Sequence, residues 1–570
     1  MMTSFRNECS LVCPKVVRTS KARDAIACQE IRMTLQNDHS PTDRRSWFRR
    51  VFLDLAQQMR WSFLPPLMVY FAAGVSGLTS VVGAFYLKDY LDLSAEFIAG
   101  LAFWAGLPWI LKVPLGHVVD LFWKWKALLI LTGAGLITLS LLIMFGLVSR
   151  PDEMRAILPL ATWYVIALLL APSGYAIQDI VADAMTVEAV PRIDDTGQIF
   201  SETQSRALHT TMQTLGRIAI ISGFVSVAAI NIWIFTDADT LPREARLALY
   251  ARVYLTALAI PVISVSGMLL HTVIQGRKAA RSRAQVGPDS ETEVNWQILG
   301  GGMFFMVLSI GLGTSNLVYA QEIVFVASLS VILYLIRQLV KELEPSAAHA
   351  LIGTATIIFV FRAVPLPGPG LTWFEIDALR FDERFLSILS LITSLLALVG
   401  LVVLRPLMAN RSIAYIVVLL TIAAGVLSLP NIGLYYGVQE WTAAQTGGIV
   451  DARFIAVLDT AIESPLGQIA MVPMLAWIAR NAPPDLKATF FAVMASFTNM
   501  ALSASSLGTK YLNKVFLVTR TSVDPVSGEQ ISAANYSELG QLLIVVGTIT
   551  VAVPLLVVFV VQTSRFRTSE

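Results

Sequence analysis

Long apolar runs separated by short polar stretches fill most of the chain. A helix needs about 20 residues to cross a hydrocarbon core of about 30 Å, and a window of that length finds fourteen such runs. Six precede a polar break at 276–295: 62–87, 95–115, 127–148, 157–178, 212–235 and 253–275. Eight follow it: 298–317, 319–336, 347–366, 385–404, 412–432, 452–479, 487–508 and 539–562. The pattern predicts an all-α polytopic membrane protein with about fourteen transmembrane helices.

The grouping of the runs predicts two six-helix bundles with a two-helix hairpin inserted between them. This is the layout of the major facilitator fold with two extra spans, and in such folds the site lies between two similar halves. The predicted domains are a cytosolic and disordered tail (1–50), the N-terminal bundle (51–275), a basic cytosolic loop (276–296), the inserted transmembrane hairpin (297–340), the C-terminal bundle (341–563) and a cytosolic tail (564–570).

Composition agrees with this class and excludes others. Hydrophobic residues make up 55% of the chain and charged residues only 14%, far below the quarter or so that is usual in soluble proteins. The net charge of +2 gives no indication of a nucleic-acid partner. The three cysteines, Cys9, Cys13 and Cys28, lie in the polar tail, so we expect neither a disulfide framework nor a metal site.

No arrangement typical of an enzyme is found in the sequence. The five histidines are scattered without a zinc spacing, and no phosphate-binding loop with Lys and Ser or Thr occurs. We therefore predict that the protein is not an enzyme, needs no cofactor, and is driven by an ion gradient rather than by ATP. A channel would need a repeated carbonyl-rich filter, and a membrane receptor or scaffold would need a large soluble surface; neither is visible.

The distribution of charge between the loops predicts the topology, because cytosolic loops carry an excess of Lys and Arg. The loop 367–384 on the opposite side is rich in acids. Basic residues in the proposed cytosolic loops include Lys124, Lys126, Arg277, Lys278, Arg281 and Arg283. We expect a monomer in the lipid bilayer of the cell (inner) membrane with both termini cytosolic. Its partners are a small-molecule substrate and protons, with no nucleic acid.

Three acids emerge from the long apolar run 158–178. Asp179 and Asp183 are four residues apart and share one helical face, and Glu188 follows them. Acids inside a membrane segment are costly, so they indicate a substrate or ion pathway. The alternative is that they mark an ordinary helix end that meets water.

The loop after the second run, 108–126, carries a partial match to the major facilitator loop motif. Gly116 and Asp120 are followed by Lys124, although Leu121 stands where that motif usually has arginine. Glycine permits close packing of helix ends, and the acid and the lysine can pair across a cytosolic gate. The alternative is that Asp120 only caps a solvated loop.

The second bundle repeats the spacing of the acids. In the segment 459–473, Asp459 and Glu463 are again four residues apart, and Glu463 lies well inside the predicted span. Arg362, late in its own span, is the natural partner, because its planar fork of donors suits a carboxylate. Arg217 is the corresponding cation of the first bundle. A structural ion pair or a snorkelling arginine is the alternative reading.

Four segments spread over both halves give the chain a family resemblance: FYLKDYLDLS (85–94), PWILKVPLG (108–116), QDIVADAMTVE (178–188) and APPDLKATFFAVMASFTNMALSAS (482–505). The chain resembles the folate–biopterin transporter family of the major facilitator superfamily. In the last segment, Leu486 and Lys487 depart from the family pattern, which commonly has Gly or Val and then Glu. The segment 178–188 is also similar to the muropeptide permeases, which stay the second choice.

The resemblance implies uptake of folates or pterins, with protons as the coupling ion. Folates carry glutamate carboxylates and a flat pterin ring. Arg217 or Arg362 would then hold the carboxylates, and aromatic residues such as Trp104, Trp109 and Tyr175 would stack on the ring.

Topology separates the two sets of acids. Asp179, Asp183 and Glu188 lie toward the cytosolic end of their span, whereas Asp459 and Glu463 enter theirs from the other side. We therefore predict that the first set is a cytosolic gate or proton relay, with the substrate held higher up.

Overall fold

The computed structural model describes residues 59–568 except for 92, 111, 191–201, 237, 239–240, 282–295, 314, 316, 342, 404–410, 468–486 and 524–529. The predicted tail at 1–50 and most of the predicted loop at 276–296 lie outside the described residues.

In this part of the chain there are twenty α-helices. The first ten are α1 Leu64–Val75, α2 Ser80–Tyr90, α3 Ala95–Ile110, α4 Lys112–Leu121, α5 Lys126–Ser149, α6 Pro151–Ile157, α7 Leu160–Ala189, α8 Glu202–Ile234, α9 Arg243–Ala257 and α10 Ala259–Arg281. The others are α11 Trp296–Gly313, α12 Ala320–Lys341, α13 Pro345–Arg362, α14 Pro369–Asp377, α15 Glu383–Val403, α16 Ile413–Tyr435, α17 Val438–Gln445, α18 Ala452–Gly467, α19 Lys487–Val515 and α20 Leu539–Thr563. Two short antiparallel strands, β1 Ser522–Val523 and β2 Gln530–Ser532, join α19 to α20.

In residue numbering, each of the fourteen predicted spans overlaps one or two of these helices. Ten helical runs in the described residues are long and apolar enough to cross a membrane. The first, Trp61–Tyr90, consists of α1 and α2 with a 3-10 turn between them. The prediction of a helical, multi-span membrane protein is confirmed.

The helices pack as two halves joined along two seams. In the N-terminal half, α1 packs on α8 and α10, and α5 packs on α7. In the C-terminal half, α15 packs on α18, and α20 packs on α13 and α16. One seam is formed by α3 with α19 and the other by α8 with α15. The inserted hairpin, α11 and α12, contacts α4 of one half and α19 of the other.

The helices run between two ends of the molecule. We call one the Lys126 end, where α4 ends and α5 begins, and the other the α14 end, where α2 ends and α15 begins. Helix α7 runs from the α14 end to the Lys126 end. At 1.5 Å per residue, Asp179 lies about 28 Å along that helix from its first residue.

Helix α14 was not expected, because the sequence indicated only a polar loop at 367–384. A tight turn follows the helix: the Phe381 N–H donates to the carbonyl of Glu375 (3.0 Å), and Arg380 adopts a left-handed φ of 57°. Arg453 donates to the carbonyl of Arg380 (3.1 Å) and to Asp382 (3.1 Å). These bonds fix the path of the chain from α14 into α15.

Candidate functional site

A lysine lies between two carboxylates on α7. The Lys112 ammonium, at the first residue of α4, is 2.8 Å from Asp179 Oδ2 and 2.7 Å from Asp183 Oδ2. The Tyr70 hydroxyl of α1 donates to Asp183 Oδ1 at 2.5 Å. We call these four side chains the Lys112 group. The expectation that the two acids share one helical face describes this geometry correctly, but their lysine partner was not predicted.

Close packing of α5 on α7 determines where the Lys112 group lies. A Cβ on Gly133 would be 2.8 Å from the Gly174 carbonyl oxygen, so only glycine allows the two backbones to approach this closely. One turn further along α7, the Gln178 amide donates to the Ile130 carbonyl (3.1 Å) and to Ser264 (3.0 Å). These contacts hold α7 at a fixed rotation next to Asp179.

The charges of the Lys112 group balance only when Arg217 is counted with it. Asp179 and Asp183 carry one negative charge more than Lys112 neutralises. Arg217 of α8 has an exposed side chain and lies within electrostatic range of Asp179 and Tyr70. Two acids and two cations therefore lie in this region. The exposed fraction of the side chain is 24% for Lys112 of α4, and 20% and 44% for Asp179 and Asp183 of α7.

Glu188 belongs to a second ion pair, closer to the Lys126 end. Its carboxylate is 2.5 Å from the Lys126 ammonium and 3.5 Å from Nε2 of the buried His271. The same ammonium lies 4.3 Å from the centre of the Trp123 ring. Glu188 is thus separate from the Lys112 group, and all of its partners named here belong to the N-terminal half.

The predicted gate motif is only partly described. Gly116 lies in α4, and nothing would contact a Cβ there within 4 Å. The side chain of Asp120 lies outside the described part of the structure. Lys124 is exposed in the turn before α5 and has an interaction partner. Pairing of Asp120 across a gate stays a prediction.

The candidate residues of the second half do not join the Lys112 group. Asp459 is buried in α18 (8% exposed), and the Asn431 amide of α16 lies 3.5 Å from its Oδ2. The backbone of Glu463 is helical, but its side chain is outside the described residues. Arg362 is the last residue of α13, is partly buried, and has no hydrogen bond or ion pair with any described residue. Its pairing with Glu463 stays a prediction.

The three aromatic candidates differ in position. Tyr175 precedes Asp179 by one turn of α7, on the same face. The Trp109 carbonyl accepts from the Asn499 amide of α19 (3.3 Å). Trp104 packs edge-on against Phe103 and lies beside Gly313 of the inserted hairpin. Tyr175 is therefore the aromatic side chain best placed to act with the Lys112 group.

A second charged cluster, missed in the sequence, lies at the α14 end. The Lys88 ammonium of α2 is 2.5 Å from Asp377 of α14 and 3.0 Å from Asp89. The Tyr536 hydroxyl donates to Asp377 Oδ2 (2.5 Å), and Arg520 donates to the Lys88 carbonyl. In the sequence, Lys88 and Asp89 belong to the family segment at 85–94, and nothing local pairs them with α14. Their position at the end of an apolar span is the feature of the sequence that could have indicated a charged site.

A buried hydrogen bond joins the halves at the same end. Tyr250 of α9 is fully buried and donates to Glu383, the first residue of α15, which is itself 2% exposed. Nearby, the Arg384 guanidinium lies 3.5 Å from the Thr236 carbonyl of the α8–α9 connection. We call Lys88, Asp377, Tyr536, Tyr250 and Glu383 together the α14 clasp. It connects the two halves, whereas the partners in the Lys112 group all belong to one half.

Two cavities are found at the α14 end of the described structure. One of about 290 Å³ is lined by Phe235, Thr236, Asp382, Arg384, Phe385, Ile388 and Arg453. The other, of about 490 Å³, is lined by Lys88, Asp89, Tyr90, Leu241, Arg243, Arg246, Asp377 and Thr521. Among the described residues, no group of three His, Cys, Asp or Glu side chains is placed to hold a metal ion.

Two packed helical halves define the class: a multi-span membrane protein with the major facilitator fold. A POT family transporter solved with 5-aminolevulinic acid matches with a TM-score of 0.58 at 14% identity, over 88% of this chain and 96% of that one. A mutant of the nucleoside transporter NupG matches with a TM-score of 0.51 at 11% identity, over 87% and 98%. At these identities the likeness shows the fold alone.

The sequence gives the family. The model of the BT1 family matches residues 73–569, so the chain belongs to the BT1 family. A folate-biopterin transporter of Synechocystis sp. (strain ATCC 27184 / PCC 6803 / Kazusa) is 24% identical over 491 residues, which are 84% of this chain and 80% of that protein. The resemblance to the folate–biopterin transporters is thus confirmed, and the protein is a membrane transporter of this family.

Proposed function

We propose that the protein moves a folate or pterin across the cell (inner) membrane by alternating access, with protons as the coupling ion. The observation that carries the proposal is the Lys112 ammonium held between Asp179 and Asp183. The name of the Synechocystis relative supports the substrate class. In the proposed orientation the Lys126 end and both termini face the cytosol, and the protein acts as a monomer.

The charge balance of the Lys112 group couples an anion to a proton. While both acids are ionised, their charges cancel the positive potential of Lys112 and Arg217, and an anionic substrate gains little there. When Asp179 or Asp183 takes up a proton, one positive charge becomes available to a substrate carboxylate. Loss of that proton restores the ion pairs and displaces the substrate. Substrate and proton therefore bind together and leave together.

The flat ring of a pterin needs an aromatic surface close to this charge. Tyr175 is one turn from Asp179 on the same face of α7, so a pterin stacked on it would bring a carboxylate tail within reach of the cations. Arg362 lies toward the α14 end of α13 and is proposed as a separate carboxylate contact along the pathway. Its partly buried guanidinium has no partner among the described residues and is available for one.

Uptake into membrane vesicles that contain the purified protein tests the proposal. We expect saturable uptake of a radiolabelled folate or pterin, stimulated by a pH gradient that is acidic on the side of substrate entry. A thermal-shift screen against folates, pterins and muropeptides identifies the class of ligand independently of transport. Stabilisation by muropeptides alone, or uptake that ignores the pH gradient, would contradict the proposed substrate or the proposed coupling, respectively.

A further inference from the structure

Helix α14 is attached to both halves within four residues. Phe374 packs with Leu539 and Leu543 of α20 in the core of the C-terminal half. Ile376 packs against the core of the N-terminal half, and Asp377 pairs with Lys88 of α2. Any movement that opens the α14 end must separate α14 from one of these halves.

Glu375 lies between those two attachments. Its side chain is partly buried and has no hydrogen bond or ion pair with any described residue. Burial raises the pKa of the Glu375 carboxyl from its ordinary 4.5 to about 7, because the charged form loses hydration. No neighbouring charge contributes to this shift. Glu375 is thus a carboxyl that the closed arrangement accommodates better with a proton than without one.

Charged and titratable side chains lie on every element around α14. They are Lys88, Asp89 and Tyr90 of α2, Glu96 of α3, Asp377 of α14 itself, Asp382 and Glu383 of α15, Tyr435 of α16, and Arg520 and Tyr536 of the connection to α20. Lys88 is shared by Asp89 and Asp377, and Arg520 donates to a backbone carbonyl. Three further cations lie near this end: Arg243 lies over the Tyr90 ring, Arg246 donates to the Ala238 carbonyl, and Arg453 donates to the Arg380 carbonyl and to Asp382. These cations therefore have partners other than Glu375.

We propose that Glu375 is a proton-binding site that controls whether the α14 end is open or closed. The inference rests on the alternating-access function proposed above. In the closed arrangement the carboxyl is partly buried and holds its proton. When α14 separates from the N-terminal half, water reaches the carboxyl and the proton leaves to the aqueous phase at that end.

The sign of the pH dependence follows from the two pKa values. In the open state the carboxyl has its ordinary pKa near 4.5, and in the closed state the pKa is about 7. Below the lower value both states are protonated, and the ratio of open to closed does not change with pH. Between the two values each pH unit raises that ratio up to tenfold, and above the higher value the ratio levels off. Alkaline solution therefore opens the α14 end.

Distance measurements between spin labels on the two halves test the proposal without any substrate. The three cysteines of the tail are replaced by serine, and labels are attached through Ala156→Cys on α6 and Ala444→Cys on α17, both exposed positions. Double electron–electron resonance is recorded from pH 4 to pH 9. We expect a longer distance to gain population with rising pH, mostly between about pH 5 and pH 7, and Glu375→Gln to suppress this response.

Glu244→Gln is the matched control, because Glu244 is an exposed acid at the same end, in the first turn of α9. That variant should keep the full response. A wild-type distance independent of pH would overturn the proposal, as would an unchanged response in Glu375→Gln. If Glu375→Gln does not fold, the wild-type titration still decides, because a response centred outside pH 4.5–7 contradicts the assignment. If the wild-type protein shows the expected distance response but no proton-driven uptake, the proposed proton coupling of transport is wrong and the role of Glu375 stands.

Discussion

The Lys112 group and the α14 clasp are built from the same parts. In each, a lysine is shared by two carboxylates, and a tyrosine hydroxyl donates to one of them: Tyr70 to Asp183 in the first, Tyr536 to Asp377 in the second. The difference lies in which half the side chains belong to. The Lys112 group is built from α1, α4 and α7 of one half, whereas Lys88 and Asp377 belong to opposite halves.

In the proposed mechanism, this difference assigns substrate binding to the Lys112 group and gating to the α14 clasp. When the halves move relative to one another, the Lys112 group can keep its geometry, and its equilibrium is open to control by a proton or a ligand. The α14 clasp must lose its Lys88–Asp377 contact for the α14 end to open. In the proposed mechanism, similar chemistry therefore gives a ligand-binding site where all partners belong to one half, and a latch where the partners belong to both halves.

The largest expected effect comes from Lys112→Ala. The change leaves Asp179 and Asp183 without their shared cation, and removing one partner of a buried ion pair commonly costs about 3–5 kcal/mol, less here because the group is partly exposed. We expect uptake per unit of inserted protein to fall by about 100-fold, with partial recovery in Lys112→Arg. Lys510→Ala is the control: Lys510 pairs with Glu322 of the inserted hairpin (3.1 Å), and its loss should leave uptake nearly intact.

Asp183→Asn is expected to reduce uptake of substrate against its gradient while leaving exchange of substrate across the membrane intact. Asparagine keeps the size of the side chain but cannot take up a proton, so pH-driven uptake against a gradient should fall by about tenfold, which corresponds to about 1.4 kcal/mol. Counterflow of labelled against unlabelled substrate should persist. Concentrative uptake equal to wild type would exclude Asp183 from proton coupling. Asp152→Asn, at an exposed acid of α6, is the matched control.

Lys88→Ala should weaken the latch without removing the binding site. The Lys88 side chain is 9% exposed and its Asp377 partner 27%, so loss of the pair shifts the open-to-closed ratio by roughly 1–2 kcal/mol, or about 5- to 30-fold. The spin-label pair on α6 and α17 measures this shift at fixed pH. Substrate-induced thermal stabilisation should remain. An unchanged distance distribution would mean that the clasp does not hold the α14 end closed.

The smallest effect is expected for Glu188→Gln. Its carboxylate is 30% exposed and contacts Lys126 and His271 within one half, so the pair contributes about 0–1 kcal/mol. Uptake should stay within about fivefold of wild type, since 1.4 kcal/mol corresponds to a factor of ten. A loss as large as that of Lys112→Ala would place Glu188 in the transport site itself.

The helical architecture could be predicted because a membrane span leaves a strong one-dimensional signal. Runs of about 20 apolar residues mark the helices, and the six, two and six grouping marks the halves. Hydropathy does not predict helix α14, because its nine residues are too few for a span and include polar side chains. Its role depends on contacts with residues far away in sequence, which hydropathy does not report.

The site was predictable only in part, for the same reason. The i, i+4 spacing of Asp179 and Asp183 correctly predicted one shared face, since helical periodicity is local. Lys112 is 67 residues from Asp179, and the partnership depends on how α4 packs on α7. The pairing of Glu188 with Lys126 is not predictable for the same reason, because the two residues are 62 positions apart and Lys126 by itself indicates only a basic loop.

The inserted hairpin makes the two seams of the molecule unequal in their contact with lipid. Gln321 of α12 donates to the Gly100 carbonyl of α3 (3.0 Å), and Glu322 accepts from Tyr511 of α19 (2.7 Å), so the hairpin covers the seam between α3 and α19. Among the described helices, the seam between α8 and α15 has no such cover. The bilayer therefore borders the two seams differently: at one it meets the hairpin, and at the other it meets α8 and α15 themselves.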